Sequence, residues 1–315
     1  MLTPRPPSVH YTSLISDSAR WERFTLRPSD IVISTPAKCG TTWTQMMCAL
    51  LIFQTPELEL PLDTYSPWLD MLTRSDDEVF AQLDAQTHRR FIKTHTPLDG
   101  IPVVAGVTYV GAGRDPRDVV LSMLNHRSNM NFDALLDARH RAVGLDDVTE
   151  LLAAGPPAAP ASELDGMWEW IDNPIDVTAS GSSLRSLVQH ITTFWEVRDD
   201  PNVHLMHYDD MQSDLGANMR RLATTLEIEV PEPLWPELVE AATFASMKSR
   251  SAHLVPDSSH GLWVDTAEFF HHGTSGRWRE VFDADARQRY ANTIGALASP
   301  EIVAWLHHEA AIGAR

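Results

Sequence analysis

Three short stretches carry residue types that could hold an anion and work on it: TPAKCGTTW at 35–43, KTH at 93–95 and GRDPRDVVLS at 113–122. In the first, an apolar run gives way to a glycine turn and then to a helical pattern. Such a turn presents backbone N–H groups and the positive end of a helix dipole, so Cys39, Gly40, Thr41 and Thr42 can cradle an anion. Lys38 adds a full charge, the two threonines add hydroxyl donors, and Trp43 offers a face on which a purine could stack. An ordinary strand-to-helix turn with a buried tryptophan is the alternative. In the second stretch, His95 is a candidate general base because neutral imidazole accepts a proton near pH 7, and Lys93 is its cationic neighbour. The chain has 14 histidines, so position and neighbour single His95 out, not residue type. In the third, Arg114 can make a two-pronged contact to a phosphate and Ser122 can donate a hydroxyl. A salt bridge from Arg114 to Asp115 or Asp118 is the competing use.

Lysine is scarce: 25 residues are Lys or Arg, and the lysines are Lys38, Lys93 and Lys248. Two of those three fall in the candidate anion loops, where a compact ammonium differs from a planar guanidinium. Lys38 also precedes Gly40, whereas a Walker A loop places its lysine directly after the last glycine.

The elements that must position these groups alternate. DIVIS (30–34) is β-branched and apolar, and TTWTQMMCALLIF (41–53) is apolar at helical spacing. RRFIKTH (89–95) and GVTYVGAGRD (106–115) read as further strands, and PRDVVLSMLNH (116–126) as a helix opened by proline. A helix is expected over 184–197, a strand over 203–210 and a helix over 211–226. Alternation of this kind predicts an α/β fold of three layers, a mostly parallel sheet with helices on both faces and ligands at the carboxyl ends of the strands. No internal repeat or domain boundary interrupts it, so one domain over 1–315 is expected, with a long insertion or lid at about 127–183 rich in Ala, Pro, Gly and Ser.

Whole-chain properties exclude several classes of partner. A net charge of −18 and a pI near 5.1 argue against nucleic acid and anionic membranes, which need a basic face. The opening MLTPRPPSVHYTS has no apolar signal core, and the apolar run 46–53 is far short of a membrane span. A cytoplasmic location is expected, and the two cysteines, Cys39 and Cys48, fit a reducing compartment.

Taken in order, the stretches resemble the cytosolic sulfotransferase family. TPAKCGTTW is similar to that family's TYPKSGTTW, FIKTHTPL to its KTHLPL, and YVGAGRDPRDVVLSMLNH to its YVxRNPKDVxVSxYxH, with the same gap of eight from Arg114 to Ser122. YDDM at 208–211 resembles YEDM, and HHGTSGRWREVF at 271–282 resembles RKGxxGDWKNxF. The resemblance implies a P-loop-nucleotide-kinase-like sulfotransferase fold and transfer of a sulfuryl group from 3′-phosphoadenosine 5′-phosphosulfate (PAPS) to a hydroxyl or amine of a small, hydrophobic or aromatic acceptor. The desulfated nucleotide PAP is the product, and no metal takes part. A transferred sulfuryl carries less negative charge than a phosphoryl, so amides and lysines can serve where kinases recruit Mg²⁺. By the same resemblance Lys38 to Thr42 hold the 5′-phosphosulfate, Lys38 neutralises the leaving oxygen, His95 is the base and Lys93 stabilises the sulfuryl oxygens. Arg114 and Ser122 bind the 3′-phosphate, and Trp43, Tyr208 and Phe244 frame the adenine.

The departures also carry expectations. His271 and His272 replace Arg and Lys before Gly273, so 3′-phosphate binding is expected to weaken and to depend on pH, with His271 as the donor; a metal at the histidine pair is the alternative. Cys39 replaces a serine in a setting that lowers a thiol pKa, with a neutral small donor as the alternative to redox control. SRSAHLVPDSSHGLW does not match the family's dimerisation segment KxxxTVxxxE, which leaves the oligomeric state open. The acceptor is expected between the loop 65–72, the His95 strand end and the insertion. Met167, Trp168 and Trp170 there either close over it or pack locally. A small-molecule kinase and a non-catalytic nucleotide-binding regulator are the rival functions.

Overall fold

The computed structural model describes residues 2–153, 159–179, 181–256, 261–270 and 273–309. Four parallel strands, β1 (Ile31–Ser34), β2 (Phe91–Thr94), β3 (Thr108–Gly113) and β4 (Val203–His207), form one sheet in the order β2-β1-β3-β4. The chain leaves β1 to one side for β2 and to the other for β3, which opens a crevice at the carboxyl end of β1.

Each of β1, β2 and β3 is buried along its whole length, as expected of parallel strands covered on both faces. Alternation sorts their side chains. Ile31, Ile33, Phe91 and Val110 face a core shared with α1 (Thr41–Phe53), while Val32, Ile92 and Tyr109 face a second core containing Phe194. These are the three layers. α2 (Pro116–Ser128) begins with the expected proline and is capped by Asp115, and α3 (Phe132–Val143) and α4 (Glu163–Ile171) follow. α5 (Leu184–Trp195) lies so close to β3 that a Cβ at Gly111 would meet Phe194 at 2.8 Å.

Two expectations change. The stretch 211–226 is not one helix: α6 (Tyr208–Ser213) ends at Asp214, whose side chain accepts from Ala217 N and starts α7 (Leu215–Thr225). A residue that caps a new helix ends the old one. The segment 127–183 is largely helical where described, and its aromatic residues pack locally. Met167, Trp170 and Ile171 join Val120, Leu187 and Tyr290 in one buried cluster, and Trp168 stacks on Phe282 at 5.4 Å.

At the amino end of the sheet, Arg90 Nε donates to Asp30 Oδ1 at 2.9 Å and Nη2 to Oδ2 at 2.5 Å, both residues being about 1% exposed. This pair ties the start of β2 to the start of β1. Removing one partner strands a buried charge, so Asp30→Ala should lower unfolding free energy by about 3–5 kcal/mol in urea titrations. A loss under about 1 kcal/mol would show that the pair contributes little.

Candidate active site

Strand ends and the turns after them build the site. After β1 the chain places Lys38 at φ 66° and Gly40 at φ 99° before entering α1. Glycine is needed at 40, since a Cβ would meet Met211 Cε at 3.1 Å and the Tyr208 ring at 3.3 Å, in a left-handed backbone. No side chain caps α1, so its first N–H groups remain available to a ligand. Thr35 and Thr41 share a hydrogen bond between hydroxyls at 2.6 Å, while Thr42 is partly exposed at the helix start.

Three cations gather around that turn. Lys38 Nζ lies 3.5 Å from His126 Nδ1 and 4.7 Å from the centre of the Phe269 ring. Loss of hydration, then the nearby Arg114 and Lys93, lower its pKa to about 8. Lys93 Nζ sits 4.4 Å over Trp68. Arg114 lies 4.1 Å over Tyr208 and donates to Lys38 O at 3.3 Å and Thr274 O at 2.9 Å. Its Nε is buried with no partner among the described residues. The salt-bridge alternative does not hold for Arg114, because Asp115 pairs with Arg117 at 2.7 Å and Asp118 accepts from Gly276 N at 2.8 Å. Cations held together, one of them with an orphaned N–H among the described residues, fit a polyanion such as a phosphosulfate nucleotide.

His95 Nδ1 lies 2.7 Å from Thr35 O. A carbonyl only accepts, so the proton is assigned to Nδ1 and Nε2 carries the lone pair. Burial, then Lys93, lower the His95 pKa to about 3, which keeps the ring neutral. The same logic assigns an acceptor nitrogen to His126, because the Lys38 ammonium only donates; burial and Lys38 hold its pKa well below the usual value. Behind β1, Ser34 Oγ donates to Thr96 O at 2.6 Å and lies 2.9 Å from His190 Nε2. Asp70, fully buried, accepts from Thr94 Oγ1 at 2.7 Å, Thr96 Oγ1 at 2.6 Å and Trp21 Nε1 at 3.1 Å, fixing the turn that carries His95.

The other expected residues fall around this centre. Trp43 meets the Tyr208 ring edge-on at 5.4 Å and commits its Nε1 to Ala242 O at 2.8 Å. Phe244 packs against Gly273 so closely that a Cβ there would clash at 2.5 Å. Ser122 is half-buried on α2. His271 and His272 lie outside the described residues, but Gly273 and Thr274 next to them reach Gln212 and Arg114. The Cys39 side chain is fully buried with Val119 and Leu121, and burial pushes the thiol up to about 12 despite Arg114, so of the two readings of this position burial favours the neutral small residue over redox control. His126, His190, Trp68 and Asp70 were not named individually from sequence, although His126 is the last residue of the third motif and Trp68 and Asp70 lie in the loop 65–72 expected to wall the acceptor.

Two clefts flank the strand end: one is lined by Lys93, Trp68, Gln45 and Met71, the other by His95, His190, Tyr11 and Gln189.

The fold and the site together define a group-transfer enzyme of the sulfotransferase class. Residues 28–300 match the Sulfotransferase domain model, and the chain belongs to that family. It is 39% identical over 316 residues to a glycolipid sulfotransferase of Mycobacterium bovis, covering 96% of this chain and 95% of the relative. Its fold is similar to retinol dehydratase in complex with androsterone and inactive cofactor PAP (TM-score 0.68, 22% identity, 90% and 84% covered). A mouse sulfotransferase, SULT7A1, complexed with PAP is likewise similar (TM-score 0.65, 18% identity, 93% of each chain covered). Family membership sets aside the kinase and the non-catalytic regulator. Among the described residues no helix is long and apolar enough to cross a membrane.

Lys38 generates a paired prediction. Its folded pKa is depressed from 10.5 to about 8, so its stability contribution is present above pH 10.5 and lost as pH falls through 8. Below pH 8 its charge opposes folding, and Lys38→Met should raise Tm at pH 7 and lose that advantage near pH 10.5. Initial-rate profiles should show kcat/KM for PAPS falling above about pH 8, as the free enzyme loses this charge. A profile flat to pH 9.5, or a Lys38→Met protein less stable at pH 7, contradicts this account.

Proposed function

We propose that this enzyme transfers the sulfuryl group of PAPS to a hydroxyl of a small acceptor that carries an apolar part, with His95 as general base. The observation that carries the reading is the commitment of His95 Nδ1 to Thr35 O, which leaves Nε2 with its lone pair, on a neutral ring in the field of Lys93 and Lys38. The PAP complexes of the similar structures and the glycolipid acceptor named for the M. bovis relative support it.

When bound, PAPS supplies an activated sulfuryl group: the acceptor oxygen bonds to sulfur as the bond from sulfur to the 5′-phosphate oxygen breaks, and PAP leaves. Lys38 and the N–H groups of residues 39–42 hold the 5′ end, and the Lys38 charge offsets the charge that develops on the departing oxygen. Lys93 faces the sulfuryl oxygens. His95 Nε2 takes the acceptor's proton, and the resulting imidazolium is stabilised through Nδ1–H by Thr35 O. Arg114, through its unpartnered Nε, and Ser122 hold the 3′-phosphate, with His271 and His272 expected nearby. Trp43, Tyr208 and Phe244 enclose the base. Trp68, in contact with both His95 and Lys93, offers its face to the acceptor's apolar part, at the edge of the cluster formed by Met71, Leu135 and Leu262.

Two substitutions separate these roles. His95→Ala should lower kcat by about 10²–10⁴-fold while PAP still binds normally by calorimetry; undiminished turnover removes His95 from the chemistry. Arg114→Lys should reduce the preference for PAP over 5′-AMP by about tenfold or more, because the planar fork is lost. An unchanged preference places the 3′-phosphate elsewhere.

A further inference from the structure

An ammonium stripped of water is costly unless an acid pairs with it, and among the described residues no acid pairs with Lys38. The charged groups that act on it are cations, Lys93 in β2 and Arg114 just beyond β3, and its titratable neighbour after β2, His95, is neutral. Two uncharged rings oppose them. Nζ lies 3.5 Å from His126 Nδ1 and 4.7 Å from the centre of the Phe269 ring. A lone pair accepts an N–H from an ammonium and the face of a benzene ring attracts a cation, so both rings favour the charged form.

The two rings come from distant segments that the fold joins. His126 lies four residues after Ser122 on α2, so both project from the same face of that helix. Asn129, which caps the helix end, ties the segment 264–265 to it: Asn129 O accepts from Val264 N at 2.9 Å, Oδ1 accepts from Asp265 N at 2.8 Å, and Nδ2 donates to Asp265 O at 2.7 Å. Trp263, held by its Nε1 on Pro256 O at 2.7 Å, packs on the His126 ring at 4.8 Å, and Phe269 meets that ring edge-on at 5.8 Å. Aromatic neighbours thus fix the imidazole plane, and the ammonium fixes which nitrogen is bare.

We propose that His126 is the positioning residue of Lys38: its Nδ1 and the Phe269 face form a neutral cage that holds the side chain as an ammonium at the turn before α1. A carboxylate in that place would cancel the charge and repel a polyanion, whereas a neutral imidazole holds the charge and leaves it undiminished. Burial, with Lys38 and Lys93, keeps His126 neutral. The inference rests on the sulfuryl-transfer reading only for what the Lys38 charge then does.

The scarcity of lysine makes the test direct: Lys38, Lys93 and Lys248 give three ¹³Cε signals, and Lys38→Met identifies the first. In the full-length enzyme labelled with ¹³C-lysine, the Lys38 signal should titrate with a midpoint near pH 8. His126→Phe, which sets a C–H edge where the lone pair stood, should lower that midpoint by about one pH unit, and the alkaline fall of kcat/KM for PAPS should move with it. His126→Leu should do the same, and a cooperative thermal transition reports that each variant has folded. His126→Asn, whose Oδ1 takes the place of Nδ1, should recover at least half of the lost shift. A midpoint unmoved in both apolar variants, or lowered as far in His126→Asn, overturns the inference. A midpoint that falls while the rate profile stays in place leaves the inference standing and removes Lys38 from the 5′ end of the nucleotide.

Discussion

Mutual repulsion among Lys38, Lys93 and Arg114 is the constraint on which the rest of the site depends. Each stands at or just beyond the carboxyl end of a different parallel strand, and the sheet order brings those ends together. Cations placed this way raise one another's free energy and pay for lost hydration, as the lowered Lys38 pKa records. The arrangement is stable only because the fold over-determines it, and a polyanion relieves it. Binding of the proposed polyanionic nucleotide there would draw on that relief, in a chain whose overall charge of −18 would repel it.

Neutral imidazoles are the second consequence. His95, His126 and His190 all lie near this centre; burial keeps all three unprotonated, and the nearby lysines add to the effect at His95 and His126. A protonated ring would add to the repulsion; a neutral one supplies a lone pair. Which nitrogen carries that lone pair is decided by the backbone: Thr35 O takes the His95 Nδ1 proton, and Thr35 directly follows β1. Asp70 and its three donors hold the turn that brings His95 there. His95 is thus oriented from the neighbouring strand as well as through the turn after its own.

Much of this was legible in the chain. Strand-loop-helix units announce themselves by β-branched runs that end in Gly or Pro and open into apolar helical spacing, and the α1 span agrees with that pattern from Thr41 to Phe53. Local punctuation failed where a polar residue could serve either interior or cap, as at Asp214, because the choice depends on what the flanking turns pack against. The pull of the helix N-terminus on Cys39 was real, but it assumed that the thiol faces the ligand. The side chain turns into the helical core, and desolvation outweighs the field.

The sequence by itself determined the α/β architecture, the order of the anion-binding loops and the three cations and one histidine that line them, because spacing and residue type act over a few residues. Tertiary structure alone decided that Lys38 leans on His126, that Gln189 and His190 line one cleft with His95, and that Trp168 and Trp170 pack with the core. Those pairs are separated by scores of residues, and their meeting follows from strand order and from which helix face finds the apolar partner, neither of which a local pattern encodes.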